Sequence, residues 1–175
     1  LLYLEARTTS NVIVAPSTQA ASQWGYVFYN CTIDGDAATQ NNNYHLGRPW
    51  QNAARAIYIN TRMNLVPVAE GWRNMSAFPA LFAEYNSMTA NGNPIDLNNR
   101  RDNYTVNTET RTGYQTVLTD TEAAQYTIGN VLSGNDQWTP LPLTESNAKP
   151  ENVKFANGTI TWDAVPYSIC YIIIK

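Results

Sequence analysis

Gly25-Tyr26-Val27-Phe28-Tyr29-Asn30-Cys31-Thr32-Ile33 alternates apolar and polar positions for nine residues. Alternation with period two predicts a strand. Val27, Tyr29, Cys31 and Ile33 are expected on one face, and Tyr26, Phe28, Asn30 and Thr32 on the other. Two later runs repeat this character. Ala56 to Met63 carries Ile57, Ile59, Thr61 and Met63 on one side, and Leu81 to Met88 contains Phe82, Glu84 and Tyr85. The three runs begin about 25 to 30 residues apart, a solenoid-like period. Leu1-Leu2-Tyr3-Leu4 and Val12-Ile13-Val14 read as shorter strands, the second ended by Pro16-Ser17-Thr18. The connections are long, uneven and rich in asparagine, whereas a sandwich turns roughly every 8–12 residues. The expected class is therefore all-β, as a parallel β-helix with three short strands per coil and loops of variable length.

Composition narrows the rest. The 175 residues are 43% apolar, enough for a packed core, and only 14% charged. Asn, Thr, Ser, Gln and Tyr supply the polarity, which favours sheet with polar loops over solvated helices. A net charge of -3 without a basic run argues against a nucleic-acid partner. No apolar stretch is long enough to span a membrane. The chain opens on an apolar run without a recognisable leader, which reads as the interior of a larger protein. Cys31 and Cys170 lie far apart, and with a single histidine no zinc pattern arises. Both are expected as buried free thiols.

Further along, Asn91 to Tyr104 reads as an exposed polar loop crossing the outside of the solenoid. Thr119-Asp120-Thr121-Glu122 resembles a capping box. Ala123, Ala124, Ile128, Val131 and Leu132 then continue one helix until Ser133-Gly134-Asn135. This helix is expected to pack on the solenoid or cap its end. Trp138-Thr139-Pro140-Leu141-Pro142 closes a first domain of residues 1–142, and residues 143–150 are a linker by composition. Asn157-Gly158 between alternating runs predicts a hairpin. Residues 151–175, with Ile160-Thr161-Trp162-Asp163-Ala164-Val165-Pro166 and Tyr171-Ile172-Ile173-Ile174, resemble the opening strands of a fibronectin type III or immunoglobulin-like module. The resemblance makes Trp162 that module's buried tryptophan, in a truncated β-sandwich segment.

The candidate site lies in His45-Leu46-Gly47-Arg48-Pro49-Trp50. Gly47 permits close backbone approach, and Pro49 belongs at a strand end or bulge. The side chains left to act are the guanidinium of Arg48, which grips carboxylates in a fork, and the indole of Trp50, a flat apolar face with one donor. Together they suit an acidic, ring-shaped ligand. Trp72 reads as core. Asn30, Asn74, Asn103 and Asn157 stand in glycosylation sequons, which arise by chance in an asparagine-rich chain.

Leu46-Gly47-Arg48-Pro49-Trp50 resembles the signature of the pectin methylesterases, carbohydrate esterases that demethylate pectin. Val12 to Thr18, Gly25 to Ile33, Gly71-Trp72, Phe82 to Ser87 and Thr119 to Leu132, then Trp138 and Pro140, resemble that family's segments in the same order. The resemblance covers about residues 1 to 142. It implies a right-handed parallel β-helix and an ester hydrolase with an aspartate nucleophile, an aspartate acid/base and glutamine donors for the oxyanion. It implies that Arg48 holds the nucleophilic carboxylate and that Trp50 stacks on a sugar ring. Met75, in Gly71-Trp72-Arg73-Asn74-Met75, becomes a substrate-contact candidate, while His45 stands where the family often has tyrosine. The resemblance implies no cofactor and no metal, pectin (homogalacturonan) as partner, and a secreted, periplasmic or cell-surface location.

Asp34, Asp36, Asp96, Asp102, Asp120, Asp136 and Asp163 stand outside the family's two aspartate motifs. The expectation is that these residues alone are inactive, and that an uncovered solenoid end promotes self-association. The competing expectation is a non-catalytic polysaccharide-binding β-helix. A lyase is disfavoured because no acidic cluster that could hold calcium is visible.

Overall fold

The computed structural model describes residues 1–5, 11–36, 38–39, 41–138 and 150–165. Cys170, the Tyr171–Ile174 run, Pro140 and nearly all of the linker lie outside the described residues. Two compact units are distinguished, Leu1–Thr127 and Ile128–Lys175. The regular elements of the described residues are mostly strands, with two short helices.

In the first unit, successive strands are dealt out in rotation to three sheets. Strands β1 (Leu2–Leu4), β4 (Thr32–Gly35), β7 (Arg62–Met63) and β9 (Met88–Thr89) form one sheet. Strands β2 (Asn11–Val14) and β5 (Tyr44–Gly47) form another, and β3 (Tyr26–Tyr29), β6 (Arg55–Ile59) and β8 (Leu81–Tyr85) a third. All of these pairs are parallel.

Each long alternating run turns out to be two strands in two different sheets. Between them stands an asparagine in the left-handed region: Asn30 at φ 52°, Asn60 at φ 52° and Asn86 at φ 53°. Asparagine visits this conformation at far lower cost than branched residues do. The turn shifts the alternation by one, so Phe28 and Ile33 both pack into the same core, as do Tyr58 and Met63. The expected common face of Val27, Tyr29, Cys31 and Ile33 is therefore broken at Asn30. The three asparagines sit above one another. The Asn30 N–H donates to the Ile59 carbonyl (2.9 Å), the Asn60 N–H to the Tyr85 carbonyl (2.9 Å), and Asn86 Nδ2 to Asn60 Oδ1 (2.8 Å). Replacing Asn60 by alanine is expected to cost about 1–2 kcal/mol for the left-handed backbone, while glycine, free of that cost, loses less. Urea unfolding that ranks alanine equal to glycine would contradict this.

The core is a run of aromatic rings across the parallel strands. Phe28 stacks on Tyr58 with centroids 4.3 Å apart, and the chain continues through Trp72, Phe82 and Tyr104 to Tyr114. Cys31 is a free thiol but only half-buried, against expectation, because it lies in the turn after Asn30. The 91–104 segment is mostly exposed as expected, except that Arg100 and Tyr104 are buried. Tyr104 opens an antiparallel hairpin that the sequence reading did not anticipate, β10 (Tyr104–Val106) with β11 (Glu109–Arg111).

The expected single helix is two, α1 (Asp120–Ala123) and α2 (Ile128–Leu132). The capping box is present at α1, but Gln125 and Tyr126 donate back only three residues, to Glu122 and Ala123, which tightens and ends the helix. Tyr126 then meets Trp24 edge-on at 5.2 Å. Hydrogen bonds from the Thr119 backbone, Gln115 and the Thr119 hydroxyl hold the Glu122 carboxyl below its ordinary 4.5. Its contribution is thus complete above that value and fades as pH falls through the lower folded one. An NMR titration of Glu122 should find its midpoint below 4.5; a midpoint at or above it would contradict the cap.

The second unit, taken by itself, contains α2 and the predicted hairpin, β12 (Lys154–Ala156) with β13 (Thr159–Thr161). Asn157 and Gly158 both have positive φ, as a type I′ turn requires. Trp162 is half-buried, and Val153 and Phe155 are exposed.

Candidate active site

Strand β5 carries the first part of the signature into the sheet. Gly47 pairs with Val14 of β2 on one side and bridges to Trp72 on the other. A Cβ at Gly47 would stand 3.1 Å from Val14 Cγ1 and 3.2 Å from Trp72 Cζ3, so glycine lets the indole of Trp72 lie close against the strand. Backbone bonds continue past the strand: the Arg48 N–H donates to the Val14 carbonyl (3.0 Å), and the Trp50 N–H to the Pro16 carbonyl (3.2 Å). The Arg73 N–H donates to the Gly47 carbonyl (2.8 Å). Beneath, the Tyr58 hydroxyl donates to the Leu46 carbonyl (2.9 Å), and burial raises the Tyr58 pKa, which keeps it a donor.

This frame fixes the sequence-predicted residues. Arg48 is half-buried; its Nε is buried and has no hydrogen-bond partner among the described residues. Trp50 is 56% exposed, which leaves its ring open to a ligand. Trp72 is fully buried, as expected for core. Met75 is half-buried and stands three residues beyond the Trp72 bridge, as Trp50 stands three beyond Gly47. The Arg73 N–H bond to the Gly47 carbonyl thus sets the segments that carry Arg48 and Arg73 side by side just past that bridge. His45 is half-buried, and burial and then the charge of Arg73 lower its pKa, so it stands neutral beside the arginines.

Sequence reasoning missed a buried ion pair that braces this frame. Glu84 of β8 and Arg100 meet at 2.5 Å between Oε1 and Nε, with both side chains out of solvent. Ser87 Oγ donates to the second carboxylate oxygen (2.7 Å), and Arg100 Nη1 donates to the Ala69 carbonyl (2.9 Å). The neighbouring Val68 N–H donates to the Tyr44 carbonyl in β5 (3.0 Å). Gly71 has φ 62°, and a Cβ there would fall 2.6 Å from Arg100 Cδ, so glycine makes room for the guanidinium stem. The available signal was Glu84 itself, since an acid within a buried run demands a cation. Among the described residues, no three His, Cys, Asp or Glu side chains gather where they could hold a metal ion.

A family model of pectinesterases matches residues 4–135. This chain belongs to the pectinesterase family. It is 27% identical over 154 residues to pectinesterase 2 of Citrus sinensis, covering 86% of this chain and 27% of that one. It is 29% identical over 133 residues to pectinesterase 2 of Arabidopsis thaliana, covering 71% of this chain and 21% of the relative. The probable pectinesterase A of Aspergillus niger is 33% identical over 91 residues, which are 50% of this chain and 28% of that protein. The pectinesterase chain described above thus spans about a quarter of the length of these relatives. The matched region contains Arg48, Trp50 and Met75 together with the Glu84–Arg100 brace.

Proposed function

We propose that residues 1–142 are the carboxy-terminal part of a right-handed parallel β-helix that demethylates pectin through an aspartate nucleophile. The rotation of successive strands among three parallel sheets supports the β-helix, since that is how a chain wound in coils distributes its strands. Residues 143–150 act as the linker and 151–175 as the start of a fibronectin type III or immunoglobulin-like module. The observation that carries the functional reading is Arg48 Nε, a buried donor without an acceptor among the described residues. A buried guanidinium nitrogen left unpaired is costly, and a carboxylate satisfies it best, in a charge-assisted bond.

In this reading Arg48 fixes the aspartate whose oxygen attacks the ester carbonyl. Methanol leaves, and water then hydrolyses the acyl-enzyme. Trp50 offers its exposed ring to a galacturonate unit and Met75 touches the neighbouring one. The substrate places the protein in the secreted or cell-surface compartment. No helix among the described residues is long and apolar enough to cross a membrane.

The reacting aspartates belong to family motifs that residues 1–175 do not contain. The 175-residue polypeptide alone is therefore expected to release no methanol from methyl-esterified pectin above a buffer blank. Sustained release by that polypeptide would place the reacting carboxylates among these residues and overturn the assignment.

A further inference from the structure

The chain contains the Asn-Gly pairs Asn91-Gly92 and Asn157-Gly158. Such a pair can react with itself. The backbone nitrogen of the glycine attacks the side-chain carbonyl carbon of the asparagine, because glycine has no Cβ to obstruct the approach. Ammonia leaves and a succinimide ring forms. Water then opens the ring at either carbonyl, which gives aspartate or isoaspartate. The reaction needs no enzyme, oxidant or cofactor. It needs a glycine nitrogen that is not held elsewhere and a backbone free to turn towards the attack geometry.

Exposure does not separate the two pairs. Both asparagines and both glycines face solvent, and a Cβ at either glycine would meet nothing within 4 Å. Hydrogen bonding separates them. The Gly92 N–H donates to the Thr89 carbonyl (3.0 Å). Around it, the Thr89 N–H donates to the Asn93 carbonyl (2.8 Å), and the Asn93 N–H to the Thr89 hydroxyl (3.2 Å). The Met88–Pro94 bridge closes the same loop one step further out. Attack by the Gly92 nitrogen would break the first of these bonds and strain the rest.

The Gly158 N–H and the Asn157 side chain, in contrast, make no hydrogen bond among the described residues. Their turn closes a hairpin of three residue pairs, Lys154–Thr161, Phe155–Ile160 and Ala156–Thr159, and all six residues are exposed. A two-stranded hairpin without a buried face is marginal in water and opens readily, which lets the asparagine side chain and the glycine nitrogen reach each other.

We propose that Asn157 is a self-modification site, where the Gly158 nitrogen displaces ammonia from the Asn157 amide and hydrolysis leaves aspartate or isoaspartate, while the Thr89–Asn93 turn protects Asn91. Conversion adds one negative charge and removes the amide of the Asn157-Gly158-Thr159 sequon. Aspartate keeps the turn, since Asp-Gly also suits type I′. Isoaspartate adds a carbon to the backbone, so the two-residue loop no longer fits the Ala156–Thr159 pair. The change is confined to the second unit and needs neither pectin nor an aspartate nucleophile.

The test incubates the 175-residue polypeptide in mildly alkaline buffer, folded and in urea. Peptide mass spectrometry follows both asparagines, and isoaspartyl methyltransferase labelling separates the two products. In the folded chain Asn157 should convert at least tenfold faster than Asn91, and in urea the two should convert at similar rates. Gly158→Ala should slow conversion of Asn157 at least tenfold and leave Asn91 unchanged. Equal rates in the folded chain overturn the proposal, as does an Asn157 that keeps its amide while the unfolded chain loses it. A gap that persists in urea also overturns it, because local sequence rather than the Thr89–Asn93 turn would then set the rates. An unchanged Asn157 rate in Gly158→Ala overturns it as well, since the ammonia would then leave by another route.

Discussion

Arg100→Ala is expected to destabilise the first unit by about 3–5 kcal/mol, the range for removing one partner of a buried ion pair. The cost comes from stranded charge. Glu84 has no solvent exposure, and without the guanidinium its carboxylate keeps Ser87 as its one side-chain hydrogen-bond partner among the described residues. The carbonyls of Val68 and Ala69 lose a donor at the same time. Replacing both charges, as Glu84→Leu with Arg100→Met, removes the stranded charge along with the attraction, so the double variant should be more stable than Arg100→Ala. Urea unfolding of the three proteins measures this. A double variant as unstable as the single one would show that the carbonyl bonds, rather than the ion pair, carry the effect.

Arg48→Lys should reduce turnover about 100-fold, at little cost in stability, in a protein where these residues stand beside the family's two aspartates. Lysine keeps the charge but lacks the planar fork, so the aspartate loses its fixed orientation. The ground-state grip on the polymer rests on Trp50 and Met75 in the proposed site, so KM should change much less than kcat. Thermal unfolding should also change little, because the frame around Arg48 is held by backbone bonds to Val14 and Gly47. Retention of full turnover by the lysine variant would remove the assigned role.

The sequence made the strand-rich class, the signature and its two outward side chains legible, because each is carried by local chemistry. Period-two alternation marks strands, and Gly47-Arg48-Pro49-Trp50 puts a fork and a ring at a strand end. The turns inside the alternating runs were invisible. Asn30 is polar where the pattern calls for a polar residue, so the left-handed turn hides in a sequence that still alternates. Arg100 was hidden for the opposite reason. It stands among asparagines and another arginine, where solvation is the default, and its partner lies sixteen residues earlier in an apolar strand. The helix broke because apolar spacing continues through Tyr126 although that ring is drawn towards Trp24. Arg48 Nε could be recognised as waiting for an acceptor only once its backbone had been placed.

The stacked asparagines also set where this chain can change length. Asn30 and Asn60 stand 30 positions apart, Asn60 and Asn86 only 26. The corners nevertheless superpose, so the four-residue difference is absorbed wholly by the connecting loops. Insertions between Met63 and Leu81 that lie outside the Val68–Arg73 stretch should therefore pass almost unnoticed by the corner. One extra residue between Asn60 and Met63 would instead turn Met63 out of the core and put a solvent-facing neighbour in its place. Length is free in the loops and fixed at the corners, which gives a homologous sequence two kinds of gap with very different consequences.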